Sequence, residues 1–261
     1  MAQSATPVAL CWSGGKDSSL TLQALVHGGY SVATLVTTVT AGYERISMHG
    51  VRRQLLLAQA ESLGLPVHEV RIPAEATNVQ YEAAMLEALE QLGRAGIRMM
   101  AFGDIFLSDI RAYRERLLQR AGWQALFPIW QRSSEGLAEA FLAAGFRAIL
   151  VCVDLQILDA RFAGRWYDRK LLADLPPGVD RCGENGEFHT FVYDGPLFRC
   201  PVRFQRGAVV RRDRWAFCDL VPAEPSGASP QAAAAPEGDT QARGLSFESA
   251  IHVAGHGCRP S

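Results

Sequence analysis

Residues 8–20 read VALCWSGGKDSSL. An apolar run of strand type, 8–12, passes through two glycines, a lysine and an aspartate into a helical pattern at 18–27, which Gly28 and Gly29 close. A strand, a glycine turn and a helix start together make an anion site. The first backbone N–H groups of a helix lack intrahelical partners, and the helix dipole favours negative charge there. Gly14 and Gly15 let the backbone approach phosphate oxygens. Ser13 and Ser18 add hydroxyls, Lys16 adds a full charge, and Asp17 either caps the helix or helps to hold Mg²⁺. The turn is not a Walker loop, because Asp17 follows Gly15-Lys16 and the upstream glycine is missing; it is not GxGxxG either. Lys16 and Lys170 are the only lysines, and every other cation is an arginine. A compact ammonium was kept in the turn, where a planar guanidinium is a poor substitute in a crowded phosphate site.

Outward from this turn, strand-like runs recur at 32–38, 67–72, 99–104, 126–130 and 148–154. Helical patterns fall between them at 51–63, 78–92, 109–120 and 135–144. Thr77 and Gln80 form a capping box before the second of these, and Ser108 stands as N-cap before the third. Alternating β and α units with nearly continuous apolar strands predict a parallel, doubly wound, Rossmann-like α/β sheet covered on both faces. Ligands of such sheets bind beyond the carboxyl ends of the strands. The loops SGGKDS, TTVTAGYERISMHG and GDIFLSD therefore define a rim. After residue 155 the pattern changes to an irregular helical stretch and then strands joined by turns, a smaller α+β domain. The expected organisation is 1–154 for anion binding, 155–221 as a smaller second domain carrying the GENGEFHT motif, and 222–261 as a Pro/Ala/Gly/Ser-rich disordered tail.

The 261 residues are 48% hydrophobic and 20% charged, with a formal net charge of -1. No overall field recruits nucleic acid or a membrane surface. No apolar run is long enough to cross a bilayer and no signal peptide is legible, so a cytoplasmic location is expected. The six cysteines are scattered, with no zinc spacing and no disulfide framework. Cys11 and Cys152 lie in apolar runs and read as core.

CGENGEFHTFVYDGPLF, 182–198, is a second constellation. Gly183 and Gly186 make a turn, and FHTFVYD alternates as a strand. Glu184 and Glu187, three residues apart, can face one pocket, hold ammonium and accept a proton as nitrogen attacks. A glycine hairpin with solvated charges is the plainer alternative. His189 and Thr190 begin the strand beside them, and Cys182 reads as structural.

SGGKDS resembles the SGGxDS PP-loop of the N-type ATP pyrophosphatases, which cleave ATP between its α and β phosphates. With SMHGVR (47–52), GDIFLSDIRAYRER (103–116) and the 182–198 motif, the chain resembles the diphthine–ammonia ligase family and its bacterial adenine-nucleotide-binding relatives over roughly residues 8–221. The resemblance implies an adenine nucleotide alpha hydrolase-like fold and ATP with Mg²⁺ as cofactors. It implies a ligase that adenylates a carboxylate and forms an amide with ammonia, releasing AMP and pyrophosphate. Lys16, Asp17, Glu184 and Glu187 become the catalytic candidates. Ser13, Gly14, Gly15, Lys16, Asp17 and Ser18 would hold phosphates; Val36, Thr37 and Thr38 would meet adenine; Gly103 and Asp104 share the rim. Asp17 and Asp104 are the candidate Mg²⁺ ligands, and His49, His189 and Thr190 join the two glutamates at the acceptor. The chain reads GEFHT where the eukaryotic ligases read GEYET, so a histidine replaces an acid there. Expected partners are ATP, ammonia and a carboxylate-bearing small molecule or protein, with a homodimer left open and neither membrane nor nucleic acid. An RNA-modifying PP-loop sulfurtransferase and an ATP binder without turnover are the alternatives. Arg111, Arg114 and Arg116 read as a solvated helix surface, and the arginines at 203–214 as a charged sheet edge.

Overall fold

The computed structural model describes residues 6–42, 45–46 and 50–223. One sheet contains β1 (Pro7–Cys11), β2 (Ser31–Thr40), β3 (Arg45–Ile46), β4 (Val67–Ile72), β5 (Met99–Ala101) and β6 (Gln124–Leu126). β1 pairs in parallel with β2 on one side and β5 on the other. β4 extends the sheet beyond β2, and β6 extends it beyond β5, both in parallel. The two-residue β3 is antiparallel to β2. The order of strands thus reverses at β1, whose Val8, Ala9 and Leu10 are fully buried. A crevice opens at such a reversal, beyond the carboxyl ends of the strands.

Six helices are described: α1 (Lys16–His27), α2 (Arg53–Leu63), α3 (Asn78–Arg94), α4 (Ser108–Arg120), α5 (Ser134–Ala143) and α6 (Arg169–Asp174). α1, α2 and α5 send Leu22, Leu55, Leu56 and Phe141 into one core. α3 and α4 send Met85, Leu89, Leu117 and Leu118 into the other. Helices on both faces explain why the parallel strands carry apolar residues on both sides. The Thr77–Gln80 capping box forms as expected. Ser108 is not a cap: it is the first helical residue, and Leu107 precedes it without a side-chain cap bond.

The second sheet is antiparallel, in the order β8 (Phe188–Asp194), β7 (Arg147–Asp154), β10 (Trp215–Pro222), β9 (Phe204–Arg212). The run at 148–154, expected to continue the parallel sheet, is β7 of this second sheet. The sheets therefore change over before β7 rather than after Asp154. A strand buried on both faces gives the same apolar run in either kind of sheet, and seven of the eight β7 residues are buried. The strand expected at 126–130 ends at Leu126; a turn follows with Pro128, which cannot donate to a ladder. β10 runs to Pro222, one residue into the expected tail, and residues 224–261 lie outside the described part. One apolar cluster joins the sheets, since it contains Leu10, Leu25 and Leu56 together with Ile149, Phe191 and Leu220. No described helix is long and apolar enough to cross a membrane.

Candidate active site

A cavity of about 410 Å³ lies where the two sheets meet. Its floor is the rim named above: Trp12 and Ser13 after β1, Val36 and Thr38 on β2, and Gly103 and Asp104 after β5. Its other wall is the turn before β8 and the start of β10. The size suits a small-molecule ligand.

The glycine turn is held from behind by one side chain. Gln59 of α2 is fully buried. Its Oε1 accepts from Trp12 Nε1 (3.1 Å), and its Nε2 donates to Gly14 O (2.9 Å) and Val192 O (2.6 Å). Val192 N donates to the same Gly14 carbonyl (2.9 Å). Gly14 sits at φ +78°, and a Cβ there would lie 2.6 Å from Gln59 Oε1. Gly15 is the N-cap of α1 and makes no side-chain cap bond. The start of α1 therefore leaves backbone donors for a ligand. Ser18 and Ser19 hydroxyls bond back to Gly15 O (2.9 and 3.0 Å), and Ser13 Oγ lies 3.3 Å from Ser18 Oγ.

Lys16 is 2% exposed. Its backbone N–H donates to Thr190 Oγ1 (3.0 Å), and its ammonium bonds Asp17 Oδ2 (2.8 Å) and the Cys182 carbonyl. The ammonium also lies over the Phe188 ring (5.5 Å). Burial pulls its pKa down; Asp17, with Cys182 and Glu184, pulls it up, and the net direction is up. Asp17 Oδ1 is buried with no hydrogen-bond partner. An orphaned carboxylate oxygen at the wall of an anion cavity fits a role in holding Mg²⁺, which is commonly held by one or two carboxylates plus substrate phosphates.

Asp104 Oδ2 is likewise buried with no hydrogen-bond partner, and a cation stands beside this carboxylate. It faces Arg114 across 2.7 Å (Nε to Oδ2) and 3.1 Å (Nη2 to Oδ1). Arg114 lies over the Phe102 ring (4.6 Å) and lines the cavity. It is not part of a solvated surface as the sequence suggested. The missed signal is helical spacing: Ile110, Arg114 and Leu117 share the inward face of α4. Gly103 packs closely: a Cβ there would lie 3.1 Å from the Asp17 carbonyl carbon and from Thr21 Oγ1.

The two glutamates separate. Glu184 lines the cavity and its Oε1 accepts from Ile105 N (2.7 Å) and Phe106 N (3.4 Å), tying the turn to the loop after β5. Burial pushes its carboxyl up to about 7, against the Ile105 hydrogen bond. Glu187 is 3% exposed and does not line the cavity. Its oxygens accept from Asp180 N, Asn185 N and Asn185 Nδ2, each at 3.0 Å. It shapes the turn from inside. Burial raises the Cys182 thiol to about 12, and its Sγ lies 3.5 Å from Ser134 O. Cys11, expected in the core, is half-buried at the cavity wall.

Of the remaining expectations, Val36, Thr38, His189 and Thr190 line the cavity. Thr37 does not; its hydroxyl donates to Trp12 O (2.6 Å) and steadies the glycine turn. His49 lies outside the described residues. Arg45 and Arg52, on either side of it in the sequence, both bond Asp219 of β10, at 3.1 Å and 2.6 Å. Gln59 and Asp219 were invisible in the sequence because each acts across a large chain separation.

Residues 6–125 match the family model described as diphthamide synthase N-terminal domain, and residues 133–223 match the diphthamide synthase C-terminal domain. A diphthine–ammonia ligase of Bos taurus is 27% identical over 241 residues, covering 82% of this chain and 88% of that protein. The human one is 26% identical over 238 residues, with the same two shares. That of Schizosaccharomyces pombe is 26% identical over 227 residues, 80% of this chain but 38% of that longer protein. A U34-tRNA thiolase structure from Methanococcus maripaludis superposes with TM-score 0.34 and 16% identity, covering 54% of this chain and 58% of its own.

Proposed function

We propose a function from one premise: the chain belongs to the diphthamide synthase family, whose N- and C-terminal domain models it matches in order. It is an ATP-dependent ammonia ligase that forms an amide. The observation that carries this reading is Lys16, whose backbone and ammonium join the glycine turn to the 182–190 segment at one cavity. An anion loop and a carboxyl-bearing turn meet there, as a two-step ligase needs.

In the first step, polyphosphate sits on the amides at the start of α1 and beside Lys16. An oxygen of the acceptor carboxylate attacks the α-phosphorus. The bond to the bridging oxygen of the β-phosphate breaks, and pyrophosphate leaves with that electron pair. Lys16 and the backbone donors face the charge that accumulates on it, and being fixed beforehand they need no reorganisation. Mg²⁺, when bound, would neutralise phosphate charge, and Asp17 would hold it. In the second step ammonia attacks the acyl carbon of the mixed anhydride and AMP departs. The nitrogen must lose a proton. Glu184, with its carboxyl near neutrality and at the cavity wall, is the group suited to take it. Glu187 serves by holding the turn. The adenine would lie against the Val36–Thr38 end of β2.

An RNA-thiolating reading draws no support from the cysteines: burial keeps Cys182 protonated and also raises Cys11. The test is pyrophosphate release with ATP, ammonia and a panel of carboxylates. Lys16→Ala should abolish release. Glu184→Gln should keep nucleotide binding and pyrophosphate exchange while slowing amide formation. Nucleotide binding without pyrophosphate release for any carboxylate would leave a binder, and the ligase reading would fall.

A further inference from the structure

The far wall of the cavity holds a third cation that the mechanism leaves unused. Arg214 lines the cavity with His189 and Trp215. Its Nε donates to Asp154 Oδ1 (3.3 Å) and its Nη2 pairs with Asp154 Oδ2. Asp154 is fully buried, and its Oδ1 also accepts from Gln156 N (3.0 Å). The guanidinium lies over the Trp215 ring, 4.9 Å from its centroid. A buried carboxylate and an aromatic face thus fix the plane of this guanidinium, while its side chain remains 43% exposed. Nη1 donates to nothing among the described residues. Held in this way, Arg214 presents a preset edge of N–H donors, which matches a planar oxyanion.

Its position relative to the reacting centre follows from the sheet. Phe188 of β8 is opposite Val153 of β7, and Trp215 of β10 is opposite Asp154 of β7. Asp154 N donates to Glu187 O, and Leu155 N donates to Arg214 O. Glu187, Asp154 and Trp215 therefore share one row across β8, β7 and β10, and Phe188, beside Val153, falls in the next. β8 and β10 are two strand spacings apart, about 10 Å. Lys16 sits over Phe188, on the β8 side of the cavity. Each cation at the cavity has its own carboxylate: Lys16 has Asp17, Arg114 has Asp104, and Arg214 has Asp154. An anion entering the cavity would be chosen by directed donors rather than by net field.

Resting on the ligase reading, we propose that Arg214 is the acceptor-binding residue. The acceptor is a small dicarboxylate: one carboxylate is activated beside Lys16, and the other docks on the open edge of Arg214. The chain between them crosses the cavity from the β8 side to the β10 side. Arg214 selects the substrate and takes no part in bond making.

The test compares ATP–pyrophosphate exchange with adipate, pimelate and suberate against hexanoate, heptanoate and octanoate, which lack the second carboxylate. The dicarboxylates should be preferred. Arg214→Gln should lower that preference roughly 10- to 100-fold, the loss of a charge-assisted contact, with Arg214→Lys between. The double variant Asp154→Asn/Arg214→Gln should behave like Arg214→Gln while removing the buried unpaired carboxylate that could unfold the single variant. Affinity for a non-hydrolysable ATP analogue should be unchanged in all three. Equal exchange with both series, or a preference that survives the double variant, overturns the proposal. Should no acid support exchange, calorimetry with the same dicarboxylates on the analogue-loaded protein decides. Binding lost in the double variant keeps Arg214 as a dicarboxylate site and leaves only the ligase reading refuted; no binding overturns the proposal.

Discussion

At Glu184 burial lifts the carboxyl from its ordinary value to about 7, although the Ile105 amide pulls the other way. The linkage has a definite sign. Between about pH 4.5 and about pH 7 the folded protein keeps a proton that the unfolded chain has lost. The stability from this group is complete below the lower value and is lost as pH rises through the upper one. Glu184→Gln should flatten that part of the curve of thermal midpoint against pH. In the same range the wild-type amide-forming step should accelerate as the base ionises. The variant should lack that rise and run on the order of 100-fold slower; an unchanged pH–rate profile would remove Glu184 from proton transfer. Gly14 tests the backbone instead. Its φ of +78° and the 2.6 Å approach of a Cβ to Gln59 Oε1 mean that Gly14→Ala strains the turn. A loss of about 1–3 kcal/mol is expected by denaturant titration, together with weaker nucleotide binding. The turn itself was readable because its chemistry is local: six consecutive residues supply the amides, hydroxyls and ammonium. Glu184 and Glu187 look equivalent in sequence, and only the fold sends one to the cavity and the other into the turn.

Elements were legible where their signal repeats over several turns or lies between clear stops. α3, with its capping box and its Met85–Leu89–Leu92 stripe, is one case, and β1 with its glycine exit is another. β7 was legible as a strand but not as to its sheet, because a doubly buried run does not record whether its neighbours are parallel. α2 was legible as a helix, yet its purpose was not. Its inward face carries Leu55, Leu56 and Ala60, and between them Gln59, a polar side chain fully buried. A buried polar group must find partners, and this one finds them on two separate segments: Trp12 and Gly14 of the glycine turn, and Val192 of β8. α2 is therefore the brace that sets the glycine turn against β8. Gln59→Met keeps the shape and deletes the bonds, leaving Trp12 Nε1 and Val192 O without that partner. The variant should lose about 2–3 kcal/mol. It should also bind nucleotide more weakly than an equally destabilised variant of α3 away from the cavity, such as Leu89→Ala. If both variants bind equally well, α2 is packing alone.

The whole molecule behaves as one unit because its two sheets share a core. Leu10 of β1, Leu25 of α1 and Phe141 of α5 belong to the same apolar cluster as Ile149, Phe191 and Leu220 of the second sheet. Polar ties cross the same boundary: Lys16 to Thr190, Gln59 to Val192, Ser62 to Cys200, and Arg52 to Asp219. Separating the sheets would expose this cluster and leave buried donors and acceptors unpaired, so neither sheet has an intact core without the other. Calorimetry should show a single transition whose van't Hoff and calorimetric enthalpies agree. A fragment ending near residue 132, which keeps the whole parallel sheet, should fail to unfold cooperatively. The nucleotide provides the decisive version of this experiment, because its cavity is walled by both sheets. A ligand that binds only the intact molecule stabilises it by about 2.7 kcal/mol at a hundred times its dissociation constant, and it should move the one transition as a whole. Were the two sheets independent, an ATP analogue would shift one transition and leave a second in place. That split would show that the glycine turn and the 182–190 segment merely adjoin, and that Lys16 does not couple them.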